Sequence, residues 1–410
     1  MIQTLHVQGY RSLKDVTWTP GKLNVVIGPN GSGKSNLLRA LALLQRSALG
    51  ELPKDIVKQG GIAPLLWDGQ VQELGWSVKT EPVGQNRDSV KDALTYELRL
   101  RQLGGSSAYR IEHELLGNFY LKDLGQKTDP MKYLERQPGR AVTFDLHEKQ
   151  LLAHEGSVPD NQTLLSFMAG PFSNPIVSAF RETLTSWSIF HDLHVDQEAE
   201  LRKPAVPRIE KRVASNGQNL IPVLHTLYTT ERDFKKNVDM AMRAAFGDDF
   251  EELSFPPAAD QRVQLRLRWR SLKNEQSASD LSDGTVRFLL LLAILGNPEP
   301  DTLIAIDEPE LGLHPAMLPI VGELARQAAS RSQVILTTHS PQLLEAFGAE
   351  PPTTTVARWE NGETKLFTIE GAEMSCWVEQ YSLGELFRSG EGAAPAALGT
   401  LGSGNLVSTA

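Results

Sequence analysis

The sequence holds a single cysteine, Cys376, so it can form neither an internal disulfide nor a cysteine-built zinc site. That usage makes a reducing cytoplasm the expected compartment. Long apolar runs are missing too. The longest unbroken one, Phe288–Leu295, is far shorter than the roughly 20 residues a membrane span needs, so no membrane role is expected. The opening Met1-Ile2-Gln3-Thr4 has no basic segment leading into an apolar one, so no secretory signal is expected. Basic excess is absent as well. The net charge of −9 argues against a surface built for constitutive nucleic-acid binding, although local basic strips stay open. No aspartate follows Asp307 and no histidine follows His339. The last part of the chain therefore cannot assemble the clustered aspartates or the histidine constellation of a metal-dependent nuclease. Glu363-Thr364-Lys365 matches a fragment of another nuclease motif, but it lies beside a turn with no aspartate nearby.

What is present describes a globular chain of 410 residues, with 40% hydrophobic and 22% charged residues. That length suggests two lobes, or one large domain carrying an insertion. Residues 2–8 and 22–27 read as apolar strands, and Leu37–Leu49 as a helix with leucines gathered on one side. Residues 68–125 read as an antiparallel meander, because Leu94, Tyr96, Leu98 and Leu100 alternate with polar residues. Asn219–Phe246 is expected to be mostly helical. Val263, Leu265, Leu267 and Trp269 alternate with Arg262, Arg266, Arg268 and Arg270 in an expected strand, whose arginine face is either a phosphate-contacting strip or ordinary solvated surface. From 281 to 347 the order helix, strand, helix, strand, helix predicts a parallel α/β sheet. Asn361-Gly362 is a hairpin-turn signal. The expected division is 1–125 and 261–390 as two halves of one domain, 126–260 as an inserted and partly helical lobe, and 391–410 as a disordered Gly/Ala/Ser-rich tail.

Gly28-Pro29-Asn30-Gly31-Ser32-Gly33-Lys34-Ser35 fits the phosphate-loop pattern and lies between a strand and a helix. Glycines at 31 and 33 allow positive φ, so that backbone N–H groups around Asn30, Ser32 and Asn36 can face phosphate oxygens. Lys34 can reach the β- and γ-phosphates of ATP, and Ser35 can place its hydroxyl on Mg²⁺. Thr302–Glu308 is an apolar strand ending in two acids. Asp307 is the candidate for the Mg²⁺ shell and Glu308 for orienting or deprotonating the attacking water.

Together with three further segments, these motifs resemble the ATP-binding-cassette class of ATPases, in its soluble branch with the Rad50, SMC and RecF proteins and the nuclease-linked ATPases of bacterial phage defence. The segments are Gly9-Tyr10-Arg11-Ser12-Leu13, Leu281-Ser282-Asp283-Gly284-Thr285 at the head of an apolar helix, and Glu308–Pro315 followed by the strand Val334–Thr338 ending at His339. Asp283 stands where the commonest signature has glycine, and His314 where many relatives carry an acid. The resemblance implies a P-loop α/β fold of cassette type, with a parallel core, an antiparallel β subdomain and an inserted lobe. It also implies an ATP-dependent head-to-tail dimer, in which His339 contacts the γ-phosphate in cis while Ser282 and Gly284 contact it from the other protomer. Arg11 is a candidate phosphate contact or a surface residue. The expected Q-loop glutamine stays open among Gln59, Gln70 and Gln102.

The leading expectation is an ATP-driven dimerising switch that engages DNA or RNA and controls a separate nuclease-like effector in phage defence. A RecF-like repair ATPase and an ATP-binding scaffold with little turnover are the alternatives. Tyr381–Gly390 is a candidate docking segment or a helix packed on its own domain.

Overall fold

The structure, a computed structural model, describes residues 1–82, 93–119, 125, 129–145, 149–154, 158–168, 174–348 and 350–369. The expected tail and the candidate docking segment Tyr381–Gly390 lie outside the described residues.

Two sheets carry the fold, and their burial patterns differ as their sequences do. Strands β1 (Ile2–Tyr10) and β2 (Leu13–Trp18) form a hairpin, and β3 (Leu23–Ile27) runs into the phosphate loop and helices α1 (Lys34–Leu49) and α2 (Leu52–Lys58). Strands β4 (Glu73–Thr80), β5 (Leu94–Gln102), β6 (Tyr109–Asn118), β7 (Met131–Gln137), β8 (Arg140–Asp145) and β9 (Gln150–Ala153) continue from β1 as a meander. The result is an eight-stranded antiparallel sheet in the order β2-β1-β4-β5-β6-β7-β8-β9. In β5 the side chains of Leu94, Tyr96, Leu98 and Leu100 are buried while those between them are not, as a sheet with one covered face requires. The sheet runs on past residue 125, since β7–β9 all add to it.

After α3 (Leu164–Phe167) and α4 (Pro175–Thr185), the short β10 (Ser188–Phe190) enters the other sheet. Helices α5 (Leu220–Thr230) and α6 (Arg232–Phe246) follow, then β11 (Phe250–Ser254), β12 (Pro257–Ala258), β13 (Arg262–Val263), β14 (Arg266–Trp269) and β15 (Gln276–Ser277). The arginine-bearing strand is therefore split. Its first part pairs with β12, while β14 lies between β11 and β15 in a three-stranded sheet. Helix α7 (Asp283–Leu295), β16 (Leu303–Asp307), α8 (Leu318–Ala329), β17 (Gln333–Thr338), α9 (Pro341–Glu345) and the hairpin β18 (Thr353–Glu360) and β19 (Glu363–Ile369) complete the described chain.

The six-stranded sheet has the order β10-β16-β17-β3-β18-β19, and its first five strands are mutually parallel. Helices cover it, so its strands are apolar on both faces: Val25–Ile27 and Val334–Leu336 are fully buried. Helix α7 is buried all round, with every residue from Thr285 to Leu295 covered and all but Thr285 and Arg287 apolar. The Gln333 side chain holds the first strand to the parallel core, accepting from Ile2 N at 2.8 Å and donating to Ile2 O at 3.0 Å. At the turn of the β18–β19 hairpin, Asn361 and Gly362 have φ of 51° and 83°, the left-handed pair their sequence signals.

Candidate functional site

Parallel sheets bind ligands beyond the carboxyl ends of their strands, where helix N-termini converge. Here four strand ends meet at that edge. Strand β3 delivers the phosphate loop, β16 delivers Asp307 and Glu308, β17 delivers Thr337, Thr338 and His339, and β10 delivers His191. Gly28 N donates to Thr338 O at 3.3 Å, which ties the start of the loop to the switch strand.

Gly31 and Gly33 have φ of 80° and 95°. No side chain caps α1; Asn36 N bonds Gly33 O at 3.0 Å, and the Lys34 and Ser35 N–H groups before it start the helix without an intrahelical acceptor. Lys34 Nζ donates to the carbonyls of Gly28 at 2.7 Å and Pro29 at 3.1 Å. An ammonium has three donors, so one remains for a ligand oxygen. Lys34 is only 4% exposed, and burial lowers its pKa against the opposing pull of Glu308, Asp307 and Glu310. Ser32 Oγ is buried with no hydrogen-bond partner. An unpartnered hydroxyl, free helix N–H groups and a buried cation fit a polyphosphate and its cation better than a purely structural turn.

The acids are held by threonines. Thr337 Oγ1 donates to Asp307 Oδ1 and accepts from Glu308 N at 3.2 Å, and Thr338 Oγ1 donates to Glu310 Oε1. Glu308 has φ of 46°, a strained backbone for a residue with a Cβ, and its carbonyl accepts from Arg287 at 3.1 Å. His339 Nδ1 lies 3.2 Å from Glu308 Oε1 and 3.8 Å from Glu310 Oε1. Lys34, Asp307, Glu308 and His339 are thus brought together, and Ser35 stands in the first turn of the same helix as Lys34. Ser35 and Asp307 are the candidates for holding a divalent cation; no cluster of three or more histidine, cysteine or acidic side chains that could do so alone is found among the described residues.

Sequence reasoning missed four members of this cluster. Arg287 is buried on α7, and Glu310 is buried with its pKa raised by that burial against the Thr338 hydrogen bond. Thr337 carries the polar contact to Asp307. His191 follows Phe190, which pairs with Ile306, so it stands across from Asp307 and is near enough to feel both Arg39 and Asp307.

Two further expected segments are held by contacts of their own. Ser282 is the N-cap of α7, accepting from Thr285 N at 3.2 Å, and Asp283 pairs with the buried Arg202. Gly284 is needed for close packing, since a Cβ there would come within 2.4 Å of Gly312 O. The signature segment is thereby packed on the loop that follows Glu308. Arg11 donates to Gln59 Oε1 at 2.9 Å and lines, with Ser12, a cleft of about 400 Å³ between Trp67 and Trp359. Gln59 is already engaged by Arg11 and Asp55, whereas Gln70 lines that cleft.

The sequence matches, over residues 23–345, the AAA_21 family, described as "AAA domain, putative AbiEii toxin, Type IV TA system". It is 24% identical over 353 residues to an OLD nuclease of Thermus scotoductus, covering 83% of this chain. The chain spans only 59% of that relative's length. It is 20% identical to an ATP/GTP phosphatase of Helicobacter pylori over 84% of this chain and 87% of that one. Among solved structures it resembles an Smc head bound to the C-winged helix domain of ScpA, with a TM-score of 0.56 at 14% identity, covering 92% of this chain and 99% of that one. A second Smc head, with an extended coiled coil and bound to the C-terminal domain of ScpA derived from Pyrococcus furiosus, has a TM-score of 0.51 at 13% identity over 93% and 99%. The fold is that of P-loop ATPase heads of cassette type. No helix among the described residues is long and apolar enough to cross a membrane.

Proposed function

Since the chain belongs to the AAA_21 family, we propose that it hydrolyses ATP with Mg²⁺ and uses the cycle as a dimerising switch over a separate effector. The observation that carries this reading is the convergence of Lys34, Asp307, Glu308 and His339 at neighbouring strand ends, with an uncapped helix N-terminus beside them. The N–H groups of Asn30, Gly31, Gly33, Lys34 and Ser35 and the Lys34 ammonium would hold the β- and γ-phosphates. Ser35 and Asp307 would hold Mg²⁺, which when bound supplies charge stabilisation at the transferred phosphoryl group. Glu308 would orient and deprotonate the attacking water, with His339 fixing the carboxylate from 3.2 Å. The cleft between Trp67 and Trp359, lined by Arg11, is the proposed seat of the base. Ser282 and Gly284, at the start of α7, would complete the site of a second copy.

The effector reading draws on the OLD nuclease relative and on the Smc heads, whose structures hold a bound ScpA domain. Control of a nuclease-like partner follows by analogy with them, while a place in phage defence with DNA or RNA as the trigger rests on the resemblance of the sequence motifs. The core of the proposal is tested by Glu308→Gln, which keeps the shape of the side chain and removes the base. Turnover is expected to fall by about 100-fold or more with ATP binding retained, the range for loss of a general base. Turnover at the wild-type rate overturns the assignment.

A further inference from the structure

Thr364, the second residue of β19, is fully buried against the phosphate loop although its side chain is polar. Its Oγ1 lies 2.9 Å from the carbonyl oxygen of Ser32 and 2.8 Å from Ser12 Oγ, and Ser12 Oγ lies 2.8 Å from Asn36 Nδ2. Proton counting fixes the directions. A carbonyl only accepts, so the single Thr364 hydroxyl proton goes to Ser32 O. The contact between the two hydroxyls then needs the proton of Ser12, and Ser12 Oγ is left to accept from the Asn36 amide. Turning the Asn36 amide over would offer Ser12 a second acceptor and leave one of the contacts without a proton. The chain Asn36 to Ser12 to Thr364 to Ser32 therefore runs one way, and in a buried setting such bonds reinforce one another.

The backbone supports the same arrangement. Thr364 N donates to Ser12 O at 2.8 Å. An ideal Cβ on Gly33 would stand 2.0 Å from Thr364 Oγ1 and 2.6 Å from Ser12 Oγ, so the loop is seated directly on this pair. We propose that Thr364 is a positioning residue for the nucleotide site. It fixes the carbonyl of Ser32, and through Ser12 the side chain of Asn36, so that the N–H groups of Gly31, Gly33 and Lys34 point together at the phosphates. It touches no nucleotide itself. The C-terminal hairpin thereby becomes part of the ATP-binding apparatus, although it lies outside the segment 23–345 that the family match covers. This inference rests on the proposed ATP-binding reading of the loop.

Thr364→Val keeps the volume and removes the hydroxyl, Thr364→Ser keeps the hydroxyl, and Ser12→Ala breaks the chain one link away. ATP affinity of the full chain, measured with a fluorescent analogue, is expected to weaken about ten-fold in Thr364→Val, roughly the effect of one buried hydrogen bond. Thr364→Ser should restore affinity to within about two-fold, and Ser12→Ala should follow the valine variant. Amide exchange at Gly31–Lys34 should rise in Thr364→Val while the strands of the core stay protected. A valine variant with wild-type affinity and unchanged loop exchange overturns the proposal, whatever happens to its Tm. If Thr364→Val fails to fold, Ser12→Ala decides by the same two readings. A wild-type protein that fails to bind ATP overturns the ATPase reading and this inference with it. Wild-type binding that Lys34→Ala removes, together with unaffected Thr364 and Ser12 variants, overturns this inference alone.

Discussion

Two cations of this molecule each face three carboxylates, and they stand in opposite physical situations. Lys34, at the carboxyl edge of the parallel sheet, feels Glu308, Asp307 and Glu310 and is 4% exposed. Arg268, on β14 of the small antiparallel sheet, lies within 4 Å of Glu251, Glu252 and Glu275 with half its side chain in water. Equal counts of charge are not equal energies. Exposed pairs are worth about 0–1 kcal/mol each, because solvent screens them and mobile side chains lose entropy in forming them. A buried cation beside buried acids is poorly screened, and removing it leaves its partners uncompensated. The parallel sheet gathers its polar groups at one edge, where burial magnifies them. The antiparallel sheet spreads its charges along a wetted face, where each is balanced locally.

The sharpest break of that contrast is Lys34→Ala. It removes the cation held by the loop carbonyls of Gly28 and Pro29, and ATP affinity is expected to fall by about 100-fold or more, comparable to losing a preorganised charge contact in other sites. Isothermal titration measures it, and affinity within about three-fold of wild type would erase the distinction between the two regions. Next in size is the trans arrangement. Ser282→Arg places a bulky cation at the start of α7 and leaves the residues of the phosphate loop unchanged. ATP should still bind, and turnover should fall by about ten-fold or more if that segment closes a second copy's site. In mixtures with Lys34→Ala, a head-to-tail dimer has one site with both defects and one with neither. Part of the turnover should therefore return. Mixed dimers that form without recovery would remove the trans role.

Much of the parallel half was legible because it is written contiguously. The phosphate loop, the strand ending in Asp307-Glu308 and the strand ending before His339 each carry their chemistry in a few adjacent residues. Composition and periodicity could not reveal Thr337, Glu310, Arg287 or Thr364, whose roles arise from which strands are neighbours. His191 was hidden for the same reason: β10 is three residues long and becomes meaningful only when paired with β16. The antiparallel sheet was legible in β5, where alternation is strict. It was not legible in β7–β9, where β9 is exposed throughout and carries no alternating signal. The arginine strand kept its pattern of burial but not its continuity, because Gln264 and Leu265 separate two short pairings.

That strand gives the smallest expected effect. An arginine that already lies near three carboxylates must leave them before it can neutralise a phosphate, so its net contribution to nucleic-acid affinity is small even if the protein binds DNA or RNA elsewhere. Arg266 is partly buried, with Nε unpartnered and one terminal nitrogen 3.4 Å from Gln264 Oε1, so it is not free to reach outward. Arg266→Gln combined with Arg268→Gln removes both charges without adding acids to an already acidic neighbourhood. In a fluorescence-anisotropy titration against salt, each phosphate-contacting arginine lost should reduce the slope of log K on log salt by about 0.9. The expected change for the pair is well under about one, with Tm within about two degrees of wild type. A wild type with no measurable binding would likewise leave β14 as ordinary solvated surface. A slope reduced by nearly two would mean that both arginines meet phosphates despite their acidic neighbours. The wetted sheet would then be a functional surface, and the contrast with the buried edge would fail where it is easiest to measure.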